Sequence, residues 1–572
     1  MQLVRRFRIP ALFCALAVLL CELISHPFAN MAVCDDGPYI LMARTLATTG
    51  HIVFNGGESA MMGWQLYLGA AFTKLFGFSF TSVRMSALLV AMVLAFLLQR
   101  TFVRASICER NATIGTLALV LSPLYLMLSA TFMTDITGLF AVVPCLYGCL
   151  RALRSSTSRA TIGWLTFSVV TNAILGTSRQ TAWLGILVMV PCALWLLRAR
   201  RGVFLAGAAA TLAGALFILS CMLWFQHQPY SMPEHLLIPS YPVAHILGQY
   251  THAFLDVPFL LLPITVVFIP ELRHSTRRSI AVSSAILVGY ILLAIHSGHI
   301  NWGSLLEPAL QGQWVNVYGI VGSTSLQGLP PNFLDPAVQV LFTIASISGL
   351  FGLIASILAP RNTHPTPGSS ACISWTQIVV LLAPYTAVYG LLLIPRAATT
   401  GIFDRYLLGL LFIPLLCLLR YYQEQVHSQI PTAATLLICV MAIYGIAITH
   451  NTFALYRARV AFAAQLRASG VPDTSVDNGW EYNMGVELQH ADHLNDPRIA
   501  IPAHAYIPVA ANDFCKTFWY DRTPHIHPLY GISFDPNACY GPAPFAPIHY
   551  SRWLASAPGT LYVVRYTAAS TP

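Results

Sequence analysis

Charge is what this sequence has least of. Asp, Glu, Lys and Arg together make up 9% of 572 residues, while the hydrophobic types make up 56%. Soluble domains carry roughly 25% charged residues, so a chain this poor in charge cannot clothe a water-soluble surface. The deficit excludes a soluble enzyme and a disordered chain. Metal and thiol motifs are missing too. There is no CxxC pair and no HExxH. The 18 histidines cluster only loosely, as at His525, His527 and His549, without a carboxylate spacing that supports a metal. No cofactor is therefore implied, and a divalent metal stays an option without support from the sequence. Most of the 13 cysteines, Cys14, Cys145, Cys192, Cys221 and Cys439 among them, stand inside apolar runs, where Cys acts as a small hydrophobe. That excludes a disulfide scaffold. Cys145 and Cys149 share such a run, which argues against zinc. Cys515 and Cys539 stand in a polar tail; spacing alone leaves their pairing open. No internal repeat is visible.

What is present is a series of long apolar runs, with a mean hydropathy of +0.65. A bilayer span needs ~20 mostly apolar residues. Thirteen stretches qualify: 9–29, 82–103, 112–130, 134–152, 160–176, 180–198, 203–223, 251–270, 279–296, 337–359, 374–394, 402–420 and 431–450. The fold class expected is an all-α polytopic membrane protein with about 13 transmembrane helices and a small C-terminal α+β domain. With the N-terminus inside, 17 basic residues fall in inside connectors and 6 in outside ones. That asymmetry favours an inside N-terminus, and an odd number of spans then puts the tail outside. The net charge of +9 is thus a topology signal, and nucleic acid is not an expected partner. The first run follows Arg5, Arg6 and Arg8 without a convincing cleavage site, and reads as a retained anchor.

Residues 1–450 are expected to form the transmembrane domain and 451–572 the outer soluble domain. In the first outer loop, 30–81, Tyr39, Ile40, Ala43, Leu46 and Ala47 recur at helical spacing, as do Trp64, Leu68, Ala71, Phe72 and Leu75. Both sets predict amphipathic helices on the membrane surface. Segments 224–250 and 297–336 read as irregular loops. In the tail, Arg498–Ile501 and Leu561–Val564 read as short strands.

Because carboxylates are scarce, those at membrane edges are informative. Asp35 and Asp36 follow the first run directly, and Asp135 opens the fourth. Each admits two readings: a helix N-terminus whose dipole favours Asp, or a carboxylate site in which one Asp accepts a proton from an acceptor hydroxyl. Arg405 and Tyr406 stand at the outer edge of the twelfth run, and Arg179 and Gln180 in the turn between the fifth and sixth. These arginines either snorkel to headgroups or clamp a lipid phosphate through paired hydrogen bonds. Arg396 is a weaker third candidate. Glu22, inside the first run, reads as a satisfied buried polar group.

Taken in order, these residues resemble GT-C glycosyltransferases, the polyprenyl-phosphate-sugar-dependent enzymes related to protein O-mannosyltransferases and to the bacterial aminoarabinose transferase of lipid A. The carriers are Asp35, Asp36, Tyr39, Ala43, Arg44 and Leu46 after the first span, Asp135 after the third, and Arg405–Leu408 at a late span. Gly479–Asn483 also looks like a segment of bacterial members. The resemblance implies that Asp35 is the catalytic carboxylate, with Asp36 and Asp135 in support. Tyr39, Glu58, Arg179, Gln180, Arg405 and Tyr406 would then bind donor or substrate. Where some relatives have a Lys or a His-Pro-Pro element, this chain reads Glu58 to Trp64, so contacts there must differ. The 224–250 loop matches, by place only, one that folds over the lipid donor. The implied partners are a polyprenyl-phosphate-linked sugar, membrane lipids and a glycan, lipid or protein acceptor. The implied location is the bacterial inner membrane. A transporter or flippase is the runner-up, but transporters place charge near the midplane in broken helices. An O-antigen-ligase-like polymerase would want a large outer loop between late spans.

Overall fold

The computed structural model describes residues 8–57, 59–233, 243–254, 257–296, 315–320, 326–359, 373–399, 401–499, 501–509, 515 and 519–567. The apolar runs are helical. A helix pairs its backbone groups within the segment, as a lipid environment demands. Among the described residues, nine helices are long and apolar enough to cross a membrane: Phe80–Arg104, Thr134–Leu153, Ser158–Ser178, Arg201–Gln226, Arg277–His296, Pro336–Leu358, Trp375–Ala398, Asp404–Val426 and Ala433–Ala468. The pair Glu109–Val120 and Pro123–Ser129, bent by 68°, makes ten if it is one span. Pro123 causes the bend, since it lacks an amide hydrogen, and the Ser122 hydroxyl caps the new start by accepting from Tyr125 N at 3.3 Å.

The other three expected runs differ from full spans. Ile9–Ser25 and Gln180–Leu196 are shorter apolar helices. The 251–270 run is divided into Val257–Leu260, Leu262–Thr265 and a 3-10 segment, Val266–His274. Pro258, Pro263 and Pro270 interrupt it. The chain is a multi-pass membrane protein. Among those nine helices the most enclosed is Thr134–Leu153, with 78% of its most apolar stretch buried. That is why a carboxylate at its start, Asp135, is buried.

Both amphipathic helices expected in the first loop are present, as Asp36–Thr49 and Gly63–Phe76. The 224–250 segment is not irregular throughout: Val243–Phe254 is helical, and 234–242 lie outside the described residues. Within 297–336 a short hairpin pairs β1 (Val315–Asn316) with β2 (Gly319–Ile320), while 297–314 and 321–325 lie outside the described residues.

Ala433–Ala468 is one helix of 36 residues that passes through 450 without a break. Its second half packs Ala454, Ala458, Phe462 and Leu466 against a small sheet. The sheet runs β3 (Val476–Asp477), β4 (Tyr530–Ser533), β6 (Gly559–Arg565) and β5 (Ile548–Tyr550), with β3–β4 parallel and the other pairs antiparallel. Leu561 and Val563 point inward at period two. Cys515 and Cys539 are bonded, their Cα atoms 5.6 Å apart. The strand expected over Arg498–Ile501 is not formed by its described residues. Asp496 instead accepts the Arg498 amide at 2.9 Å in a local turn, with Pro497 and Pro502 on either side.

Candidate active site

The helix Asp36–Thr49 begins where the chain leaves the first apolar helix, and a buried ion pair fixes that corner. Asp36 is fully enclosed. Arg84 grips it with two donors, Nε to Oδ2 at 2.7 Å and Nη2 to Oδ1 at 3.0 Å. The same carboxylate accepts the amides of Val33 at 2.8 Å and Phe132 at 3.2 Å. Arg84 spends its other donors on the carbonyls of Ala29 and Met31. Asp36 thus ties together the corner, the Phe80–Arg104 helix and the loop before Asp135.

Asp35 lies on the other side of that corner, with its side chain 42% exposed. It makes no capping hydrogen bond to its own helix. Its Oδ2 accepts instead from Arg405 Nη2 at 3.0 Å, from 370 residues away. Asp135 likewise serves groups outside its own helix. It is buried and accepts from Arg179, and its Oδ2 stands 3.8 Å from Arg405 Nη1. Arg405 therefore bridges the two carboxylates. Gly138, one turn after Asp135, leaves room for this: a Cβ there would stand 2.9 Å from Arg179 Cδ.

Tyr406 collects the cations. The guanidinium carbons of Arg179, Arg405 and Arg396 lie 5.2, 5.3 and 5.9 Å from its ring centroid, within cation–π range. Tyr389 donates to the Tyr406 carbonyl at 2.8 Å. Arg396 donates to Ser59 Oγ at 3.1 Å and Gln180 to the Ser59 carbonyl at 3.1 Å. Tyr39 is buried one turn after Asp35, within electrostatic reach of Arg405. Glu58 lies outside the described residues. A cavity opens among Asp135, Arg179, Tyr385, Tyr389, Arg405 and Tyr406. Among the described residues that line it, Arg179 and Arg405 stand against the one carboxylate of Asp135, a balance that favours an anionic ligand.

The chain is similar over nearly its whole length to solved structures of ArnT. One is the crystal structure of ArnT from Cupriavidus metallidurans in the apo state, at 13% identity and a TM-score of 0.42, covering 96% of each chain. Another is that protein bound to undecaprenyl phosphate, at 13% identity and a TM-score of 0.40, covering 96% of this chain and 97% of the other. No protein-family model matches the chain, and no curated protein matches it in sequence.

Behind Asp35 lies a second set of buried groups that the sequence reading did not single out. Cys34 has a φ of 56°, a left-handed conformation that costs a non-glycine residue about 1–3 kcal/mol. Its amide donates to the Tyr456 hydroxyl at 3.4 Å. Tyr456 in turn donates to Glu481, which Arg459 pairs at 2.9 Å. Arg84 was also missed as a partner of Asp36.

Proposed function

We propose that this protein is an integral-membrane glycosyltransferase that moves a sugar from a polyprenyl phosphate to an extracytoplasmic acceptor, inverting the anomeric centre. The observation that carries this reading is the convergence of Asp35 and Asp135 on Arg405, beside a cavity lined by a second guanidinium. We assign thirteen membrane passages, the tail from 451 outside, and the bacterial inner membrane as the location. Thirteen passages and an outside tail are consistent with the basic-residue asymmetry.

The chemistry asks little of the protein. A phosphate on the anomeric carbon is already a leaving group, so a base for the acceptor and a clamp for the phosphate suffice. In the resting site the exposed Asp35 oxygen holds Arg405. On this reading an incoming phosphate diester takes over the Arg405 and Arg179 guanidiniums through charge-assisted bonds, with Arg396 and Gln180 around it. That leaves the Asp35 carboxylate able to take the acceptor hydroxyl proton. The acceptor oxygen then forms its bond to the anomeric carbon as the bond to the phosphate oxygen breaks. Polyprenyl phosphate departs on the arginines. Asp135 holds Arg179 and Arg405 in place, Tyr406 presents the ring on which they rest, and Tyr39 packs behind them. Asp36 positions Asp35 through the corner it ties.

Undecaprenyl phosphate is the probe of choice for this reading. Purified protein is expected to bind it, and Arg405→Ala is expected to lose at least tenfold in affinity. Equal binding by wild type and Arg405→Ala would remove the clamp and with it the donor class.

A further inference from the structure

A larger cavity lies where the second half of the Ala433–Ala468 helix meets the β1–β2 hairpin and the C-terminal sheet. Its walls are the rings of Tyr318, Phe333, Tyr456, Phe534 and Tyr550, with Arg552 among them. Two covalent neighbours tie it to the active site. Tyr456 accepts the amide of Cys34, the residue before Asp35, at 3.4 Å. The hairpin that carries Tyr318 starts at Val315, whose amide donates to Asp404 Oδ2 at 2.8 Å, and Asp404 precedes Arg405. The wall residue Tyr456 and the hairpin that carries Tyr318 are thus each hydrogen-bonded to the residue next in sequence to one member of the Asp35–Arg405 pair, and neither lines the cationic cavity.

We infer that this second cavity is a saccharide subsite of the same centre. Five aromatic residues line it, and aromatic side chains supply the apolar surface against which the C–H face of a sugar packs. Arg552, Tyr318 and Tyr550 supply polar contacts for hydroxyls, in the mix of aromatic wall and few polar groups that marks small-ligand pockets. Arg552 spends one nitrogen on the carbonyls of Pro331 and Asn332, which holds its guanidinium in place with further N–H donors to offer a hydroxyl. Among the described residues its lining holds no Asp, Glu, His or Cys that would favour a metal ion. The walls are held before any ligand arrives. His450 stacks on Trp553 at 3.9 Å, and Asn451 and Trp553 exchange hydrogen bonds at 3.1 and 2.7 Å. Phe534 N donates to the Gln327 carbonyl at 2.9 Å, which joins the loop wall to the sheet wall.

The inference rests on the glycosyltransferase reading only for the source of the sugar, donor or acceptor, and the test separates the two. Full-length protein in detergent is titrated with glucose, galactose, mannose and arabinose, with their amino sugars, and with oligosaccharides released from bacterial envelopes, using saturation-transfer NMR. At least one of these saccharides is expected to bind, and Tyr318→Ala and Arg552→Gln are each expected to weaken it tenfold or more. Unchanged affinity for undecaprenyl phosphate in both variants certifies their fold. If a sugar-bearing polyprenyl phosphate weakens in step while undecaprenyl phosphate does not, the subsite holds the donor's sugar. If both lipids bind as before, it holds the acceptor's. Either outcome supports the subsite. Absence of saccharide binding to wild type, or equal binding by both variants, overturns it. The lipid arm with Arg405→Ala fails or succeeds independently and reports on the donor reading alone.

Discussion

At the residue scale, two adjacent aspartates meet different surroundings. Asp36 is enclosed and gripped by Arg84 through two bonds, whereas Asp35 is 42% exposed with one bond to Arg405. Removing one partner of a buried pair leaves the other charge uncompensated, at a cost of about 3–5 kcal/mol. Arg84→Leu is therefore expected to lower thermal stability in detergent sharply. Asp35→Asn keeps the shape and removes the base. It is expected to leave the melting temperature near that of the native protein and to cut turnover of a polyprenyl-phosphate sugar by about 10²–10⁴-fold. Native turnover in Asp35→Asn would move the base elsewhere. At Arg405 a lysine keeps the charge but not the planar fork. Arg405→Lys should accordingly restore only part of the donor affinity lost in Arg405→Ala, as read by titration with undecaprenyl phosphate.

At the scale of elements, the apolar runs were legible because a span is a local property of ~20 residues. The two first-loop helices were legible for the same reason, from periodicity alone. The divided 251–270 run was not, although Pro258, Pro263 and Pro270 stand in plain view: mean hydropathy does not register a missing amide hydrogen. The site was half legible. Scarcity picked out Asp35, Asp135, Arg179 and Arg405, but no local signal says that Arg405 reaches Asp35 or that Tyr456 supports Cys34. Those pairings are long-range, and a single sequence does not encode them as a pattern. The false strand at Arg498–Ile501 shows a competing rule at work, an Asp side chain capturing a backbone amide. That turn supports a pH prediction. Burial works against the Asp496 charge, but Arg498, with its side chain and amide, and Arg522 outweigh it and hold the carboxyl below its ordinary range. A lowered folded pKa contributes stability above the unfolded value that is lost as pH falls through the folded one. Unfolding followed between pH 7 and pH 3 should show this contribution disappearing below about pH 4. Asp496→Asn should be less stable than the native protein at pH 7 and lose less on acidification.

At the scale of the whole molecule, the basic-residue asymmetry makes a topological prediction. Reporter fusions after residues 155 and 470 are expected to report inside and outside. An inside signal at 470 would put the candidate site on the wrong face for an extracytoplasmic acceptor. The same molecule-wide view gives the helix Ala433–Ala468 a further meaning. Thirty-six residues at 1.5 Å each make a rod of about 54 Å, while the hydrocarbon layer is about 30 Å thick. Counted from Ala433, Ile448 stands about 23 Å along the rod and Tyr456 about 35 Å, and both line the larger cavity. With Ala433 at the inner edge of the hydrocarbon layer and the tail outside, as proposed above, the rod is a ruler that sets the height of that cavity at the rim of a bilayer of ordinary thickness. On that placement, acyl chains a few carbons longer would submerge the rim, and shorter ones would lift it clear, so the length of the host lipid becomes a dial on access from water to that cavity.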